Sequence, residues 1–182
     1  MSSRRRTLTT TRPSAAGEIE LRPLVQGDLA EVIAIERRVY PTPWSLAMFL
    51  LELSKRDTLA LAARRDGALC GYAVCSRYDH DWHLMTLAVD LPLQRQGIGR
   101  VLLSELIGRL EDAYLVGAIP WPRITLEVRR SNTAAQRLYA AHGFLAAGVR
   151  PGYYAEAGED ALILWRTPAT LHGRLDDIPG HR

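Results

Sequence analysis

Cysteine is scarce in this chain of 182 residues, which has two, Cys70 and Cys75. They fall five apart in one predicted strand, where an odd spacing points side chains to opposite faces. Neither a disulfide nor a shared metal is expected from them. Thiols left unpaired fit a reducing compartment, so a cytoplasmic location is expected. Long apolar runs are also missing, and no stretch approaches the roughly 18 uninterrupted apolar residues of a membrane span. The opening MSSRRRTLTTTRPSAAG is basic and lacks the apolar core of a secretory signal. Ser2 stands where myristoylation requires glycine. A general basic excess is absent as well. There are 23 Lys and Arg against 20 Asp and Glu, for a formal charge of +3. Arg4, Arg5, Arg6 and Arg12 fall in the first 16 positions, which hold no acid, and the remaining 19 basic residues face all 20 acids. A folded part without basic surplus argues against specific nucleic-acid binding.

What is present reads as one ordinary globular domain, with 47% hydrophobic and 24% charged residues. The length suffices for a single core. Residues 1–17 read as a disordered basic tail, 18–167 as the domain, and 168–182 as a loose C-terminal tail. Within the domain, alternation marks strands at 18–24, 58–64, 69–78, 82–90 and 124–129, with strand-like segments near 144–149 and 160–166. Helical periodicity marks Asp28–Val39, 46–55 behind a Ser45 cap, 98–114, and a capped helix ending at Gly143. Two prolines in YPTPW break the first helix from the second. The Asp-Gly of RDGA turns one strand back on the next. The order is that of a mixed α/β fold, an antiparallel meander joined to a parallel βαβ portion. No internal repeat and no second domain is apparent.

The most informative stretch is LAVDLPLQRQGIGRVLLSELIGRL, Leu87 to Leu110. It hands a strand over to a helix through Arg95, Gln96, Gly97, Ile98, Gly99 and Arg100. Two glycines are present, but Leu102 stands where a dinucleotide fingerprint wants its third, and no Gly-Lys-Ser/Thr follows for a P-loop. Bare backbone leaves amides uncovered. The helix behind offers unpaired N–H groups and a positive dipole end, and Arg95 and Arg100 flank it. Together these suit a pyrophosphate.

QRQGIGR at 94–100 resembles the Q/R-x-x-G-x-G/A signature of the GNAT acetyltransferases. TLAVD before it, PWS (43–45), LEVR (126–129), SNTAAQRLY (131–139), GF (143–144) and YY (153–154) resemble one branch of that superfamily. That branch holds the protein N-terminal acetyltransferases of the RimI type, which act on ribosomal protein S18, and their Ard1-like relatives. The likeness covers roughly residues 18–166. It implies the GNAT fold, splayed around acetyl-CoA as cofactor. It places the pyrophosphate on the amides of 95–100 and the pantetheine along Leu87, Ala88 and Val89, as an added strand would lie. Either Ser131 or Asn132 could cap the helix that follows, and Asn132 is implied as a further cofactor contact.

Acetyl transfer from a thioester needs a neutral amine, a base, a donor for the oxyanion and an acid for the thiolate. A protein α-amine, with a pKa of about 7.7–8.0, is partly neutral at pH 7, whereas a lysine at about 10.4 is not. The resemblance implies Glu127 as the base, directly or through a water, and Tyr139 as the acid. Read by themselves, Glu127 fits an outward-facing partner of Arg129 and Tyr139 a core aromatic. A backbone N–H near Val89 is the expected oxyanion donor. Pro43 and Trp44 in one loop, and Tyr153 and Tyr154 in another, are implied to line the acceptor site. His80 and His83, with Asp79 and Asp81, sit at a predicted hairpin turn with no second cluster, so no metal is expected. Ser104 lies mid-helix and no Cys–His pair has support, so no covalent acyl-enzyme is expected. A basic N-terminal extension, the 116–123 connection and a C-terminal extension depart from the shorter family pattern. The expected acceptor is a protein N-terminus, with S18 in view, for a monomer or weak dimer off the membrane. A small amine such as an aminoglycoside or polyamine, a lysine side chain, and a non-catalytic acetyl-CoA-binding module are the alternatives.

Overall fold

The structure, a computed structural model, describes residues 17–179. The basic tail expected at the N-terminus lies outside them apart from Gly17. Seven strands and four helices follow one another: β1 (Glu20–Pro23), α1 (Leu29–Val39), α2 (Leu46–Ser54), β2 (Thr58–Arg65), β3 (Ala68–Tyr78), β4 (Asp81–Val89), α3 (Ile98–Leu115), β5 (Ile124–Arg129), α4 (Thr133–Ala140), β6 (Leu145–Tyr154) and β7 (Glu159–Arg166). The predicted caps hold. The Ser45 hydroxyl accepts from Met48 N at 3.3 Å and the Asn132 side chain from Ala135 N at 3.1 Å, each satisfying an amide the helix leaves unpaired.

All seven strands form one sheet in the order β1-β2-β3-β4-β5-β7-β6. The expected parallel portion is a single pair, β4 with β5, in register only at Trp82–Ile124 and His83–Thr125. Beyond those residues the two strands part. Every other pairing is antiparallel. The sheet is covered on both faces. Ile98, Leu102, Leu103, Leu106, Ile107 and Leu110 of α3, spaced at the helical period, pack with Tyr139 and Phe144 on one side. Leu29, Val32, Ile35 and Phe49 of α1 and α2 pack on Tyr72 and Val74 on the other.

Two bulges reset the alternation. Ala63 pairs with Gly71 but Arg64 with Leu69, so Cys70 is an extra residue in β3. One extra residue flips the parity of every later position in its strand. Cys70 and Cys75 therefore join the same core cluster, against the expectation of opposite faces, and both stay free thiols. In β4, Thr86 pairs with Val74 and Leu84 with Cys75, so Met85 is the extra residue. Trp82 and Leu84 face α3 before it, and Leu87 and Val89 face α3 after it.

The tail expected to be loose after Pro168 is instead tied to the domain as far as Ile178. Asp177 accepts from the Thr167 hydroxyl at 2.6 Å and from Ala169 N at 3.0 Å, Thr170 donates to Gly143 O at 2.8 Å, and Ala169, Thr170 and Ile178 are buried. These polar ties replace the apolar periodicity that would have announced them.

β3 and β4 approach closely at Gly71, where a Cβ would stand 2.6 Å from Ala88 O. The closest atom belongs to the β4 backbone, which has no side-chain torsion through which to yield. Gly71→Ala is expected to destabilise the fold by about 1–3 kcal/mol, the usual cost of overpacking, read as a lower urea midpoint.

Candidate active site

The loop between β4 and α3 is built to present amides. Arg95 and Gly97 both take positive φ, 62° and 85°, a conformation that favours glycine and that Arg95 holds at a cost. Gly97 is the N-cap of α3, and Val101 N is the first amide to bond back, to Gly97 O at 3.0 Å. The N–H groups of Arg95, Gln96, Gly97, Ile98, Gly99 and Arg100 have no acceptor among the described residues. Gln96 is held by Arg65 at 3.0 Å and donates to Pro92 O at 3.3 Å, which steadies the loop from outside. A pyrophosphate brings the acceptors that such a run of amides lacks.

The parting of β4 from β5 opens a second row. Asp90 N bonds to Cys70 O, and the Ala88 carbonyl lies against Gly71, so residues 88 and 90 turn their backbone to β3. Residues 87 and 89 turn theirs to the gap. Their carbonyls are taken, Leu87 O by the Tyr40 hydroxyl at 2.8 Å and Val89 O by Gln94 Nε2 at 3.0 Å. The amides of Leu87 and Val89 are the groups left to meet an added strand-like ligand. Of the three residues expected there, Ala88 contributes no backbone group to the gap, because its parity is set by the bulge at Met85.

Glu127 sits in β5 beside the gap. It does not pair with Arg129, which binds Glu156 at 2.8 Å and Glu159 at 3.6 Å. Its carboxylate lies 2.9 Å from His83 Nε2 through Oε2 and 3.3 Å from Arg150 Nη1 through Oε1. The hydrogen bond from His83 and the charges of His83 and Arg150 hold this carboxyl below its ordinary range, against the upward push of its burial. His83 is not at a turn as the sequence suggested. It lies within β4, paired with Thr125, two residues from Glu127. No group of three metal-ligating side chains occurs among the described residues.

Tyr139, on α4, is buried against Phe144 with ring centroids 5.6 Å apart. Burial raises its phenol strongly, and its hydroxyl has no hydrogen-bond partner among the described residues. Tyr40 and Tyr154 add to the rise in the same direction. Burial pushes Tyr40 and Tyr154 up to about 12. All three remain protonated donors at neutral pH.

The segments that carry Pro43 and Trp44 and Tyr153 and Tyr154, expected to line the acceptor site, are tied to the same sheet face. Trp44 packs on Phe49 at 5.1 Å, and its amide donates to Glu36 Oε1 at 3.0 Å. Glu36 is buried and also accepts from the Tyr72 hydroxyl. Pro43 is exposed beside it. Tyr153 and Tyr154 stack edge to face at 5.0 Å, with Arg150 over Tyr153 and Arg129 over Tyr154 at 4.5 and 3.9 Å. Arg150 thus joins Tyr153 to Glu127. Tyr40, Glu36 and Arg150 were not singled out in the sequence, and His83 was weighed there only as a metal ligand. Only the position of Tyr40, closing α1 before two prolines, was a usable signal. Pairing also brings Ser104 Oγ within 3.0 Å of His142 Nε2, but His142 Nδ1 is held by the Leu138 carbonyl rather than a carboxylate, and Ser104 is exposed.

Desolvation dominates at Glu36 and raises its carboxyl to about 7. A carboxyl raised on folding contributes stability that is complete below about pH 4.5 and is lost as pH climbs through about 7. Glu36→Gln keeps an acceptor for Trp44 and cannot ionise. The wild type is expected to lose urea stability between pH 5 and 8 while this variant holds it, and Glu36→Ala is expected to be weaker at every pH.

Comparison with known proteins gives concordant matches. Residues 29–144 match the family described as Acetyltransferase (GNAT) family. A [ribosomal protein bS18]-alanine N-acetyltransferase of Salmonella typhimurium is 37% identical over 139 residues, 75% of this chain and 89% of that protein. The N-alpha-acetyltransferase RimI of Mycobacterium tuberculosis is 34% identical over 149 residues, 79% of this chain and 89% of the relative. The crystal structure of the ribosomal-protein-S18-alanine N-acetyltransferase from Escherichia coli superposes with a TM-score of 0.73 at 32% identity, covering 82% of this chain and 93% of that one.

Proposed function

This chain belongs to the GNAT family of acetyltransferases and is an acetyl-CoA-dependent N-acetyltransferase; on that premise we propose that its acceptor is a protein N-terminal α-amine, with the N-terminal alanine of ribosomal protein bS18 the best candidate. The observation that carries this is the convergence on one sheet face of the acceptor-side loops with Glu127. Tyr40 reaches Leu87 O beside the gap, and Arg150 links Tyr153 to Glu127. An aromatic, arginine-bearing rim suits a peptide better than a polycationic small amine. Relatives 37% and 32% identical to this chain are named for this acceptor.

Acetyl-CoA, when bound, would supply an acetyl group activated as a thioester, with the CoA thiolate as the leaving group. The amides of residues 95–100 would hold its phosphates, and the Leu87 and Val89 amides would hold its strand-like arm and supply a donor for charge developing on a carbonyl oxygen. Asn132 keeps its oxygen on Ala135 N, which leaves its amide nitrogen for the cofactor. Glu127 serves the amine side and Tyr139 the thiolate side. The hydrogen bond and charges around Glu127 keep it ionised, and burial keeps Tyr139 a protonated donor. An α-amine near pKa 8 asks little of its base. Pro43 and Trp44 on one side, Tyr153 and Tyr154 on the other, receive the peptide.

The deciding assay measures CoA release with two peptides. One begins with a free Ala-Arg and lacks lysine, and the other is N-terminally blocked with an internal lysine. Turnover of the first alone is expected. Turnover of the blocked peptide would assign a lysine acceptor, and silence on both with acetyl-CoA still bound would assign a small amine or a binding module. Tyr139→Phe is expected to lower kcat by about 10²–10⁴-fold, with acetyl-CoA affinity by calorimetry unchanged.

A further inference from the structure

We propose that His83 is the group that takes the proton from the acceptor amine, through Nδ1, and that Glu127 acts by positioning it. The inference rests on the N-terminal acceptor reading and names the atom where the proton goes. His83 Nε2 is committed to Glu127 Oε2 at 2.9 Å. With Nε2 facing the carboxylate at that distance, the neutral ring is best served by a proton on Nε2 and a lone pair on Nδ1. Nδ1 has no partner among the described residues and is not among the sealed polar atoms. Glu127 is placed worse. Each of its oxygens is already engaged, one by His83 and one by Arg150, and its side chain is 14% exposed against 26% for His83.

Chemistry points the same way. A general base works best when it titrates near the working pH. The carboxyl of Glu127 is held below its ordinary range by the groups that engage it, which weakens it as a base, whereas a neutral imidazole offers a lone pair suited to general-base work. As the amine nitrogen bonds the acetyl carbon and the carbon–sulfur bond breaks, Nδ1 takes the amine proton and Tyr139 gives one to the thiolate. Exchange with solvent then resets both. Glu127 balances the imidazolium while it exists, as a buried carboxylate orients a catalytic histidine elsewhere.

The charged and titratable groups around His83 are few. Glu127 faces it from β5, and Arg150 and Tyr154 stand around Glu127 from β6. Asp81, two residues back on β4, is occupied by Arg123 at 2.7 Å. Ser76, the residue opposite on β3, is bound by Glu52 of α2, itself paired with Lys55. The one carboxylate bonded to His83 is that of Glu127.

The test compares the wild type, His83→Gln, His83→Asn and Glu127→Gln. kcat is measured from pH 6 to 9.5 with the free Ala-Arg peptide, and ¹⁵N NMR of the imidazole is recorded on the enzyme without substrates. Both His83 variants are expected to bind acetyl-CoA as the wild type does, to lose about 10²-fold in kcat, and to lose the rising acid limb of the kcat profile. The imidazole of the wild type at high pH is expected to carry its proton on Nε2, and Glu127→Gln to remove that bias. His83 variants within twofold of wild type with the limb intact, while Glu127→Gln falls 10²-fold, would make Glu127 the base and overturn the proposal. A proton found on Nδ1 would overturn it as well. A wild type that ignores the free peptide but acetylates a small amine would instead sink the acceptor reading, and this proposal with it.

Discussion

The site depends throughout on the parting of two strands. β4 and β5 pair in parallel at Trp82–Ile124 and His83–Thr125 and then diverge. The bulge at Met85 accompanies that divergence, because an extra residue bends its strand and increases local twist. It also rotates the backbone of β4, so that Leu87 and Val89 turn unpaired amides toward the gap while Ala88 stays bonded to β3. Gly71 lets β3 follow this bend at contact distance. A sheet that stayed paired would offer neither free amides nor a passage between its faces.

The passage matters because the groups proposed to react sit on opposite faces. Tyr139 belongs to the core under α3, while Glu127, His83 and the aromatic loops belong to the other side. The environments on the two sides differ. Desolvation without a counter-charge raises Tyr139, and ion pairing outweighs desolvation at Glu127. The same balance explains Glu36, whose buried carboxylate receives hydrogen bonds from Trp44 and Tyr72 but no counter-ion, and therefore rises. It trades some stability at neutral pH for a fixed position of the loop that carries Trp44.

Much of the fold was legible in the chain. The helix caps Ser45 and Asn132, the glycine at the positive-φ position before α3, the period of α3 and the alternation of β5 are all local signals. Each depends on residues within a turn or two of one another. Glu127 and Tyr139 became candidates through motif resemblance, since their residue types alone fitted a solvated glutamate and a core tyrosine equally well. The acceptor loops were legible in the same way, though not what anchors them.

What was illegible shares a different cause. Whether Cys70 and Cys75 share a face depends on one extra residue in β3, and a bulge is defined by the partner strand rather than by the strand that contains it. Whether His83 meets Glu127 depends on which strand lies beside β4, and Asp177 finds Thr167 and Ala169 only once the tail has turned back on β7. The sequence by itself determined the elements, their caps and the amide-bearing loop, because short-range sterics and hydrophobic period suffice for these. Only the tertiary structure decided the register, and with it the partner of Glu127, because contacts between residues distant in the chain leave no periodic trace in it.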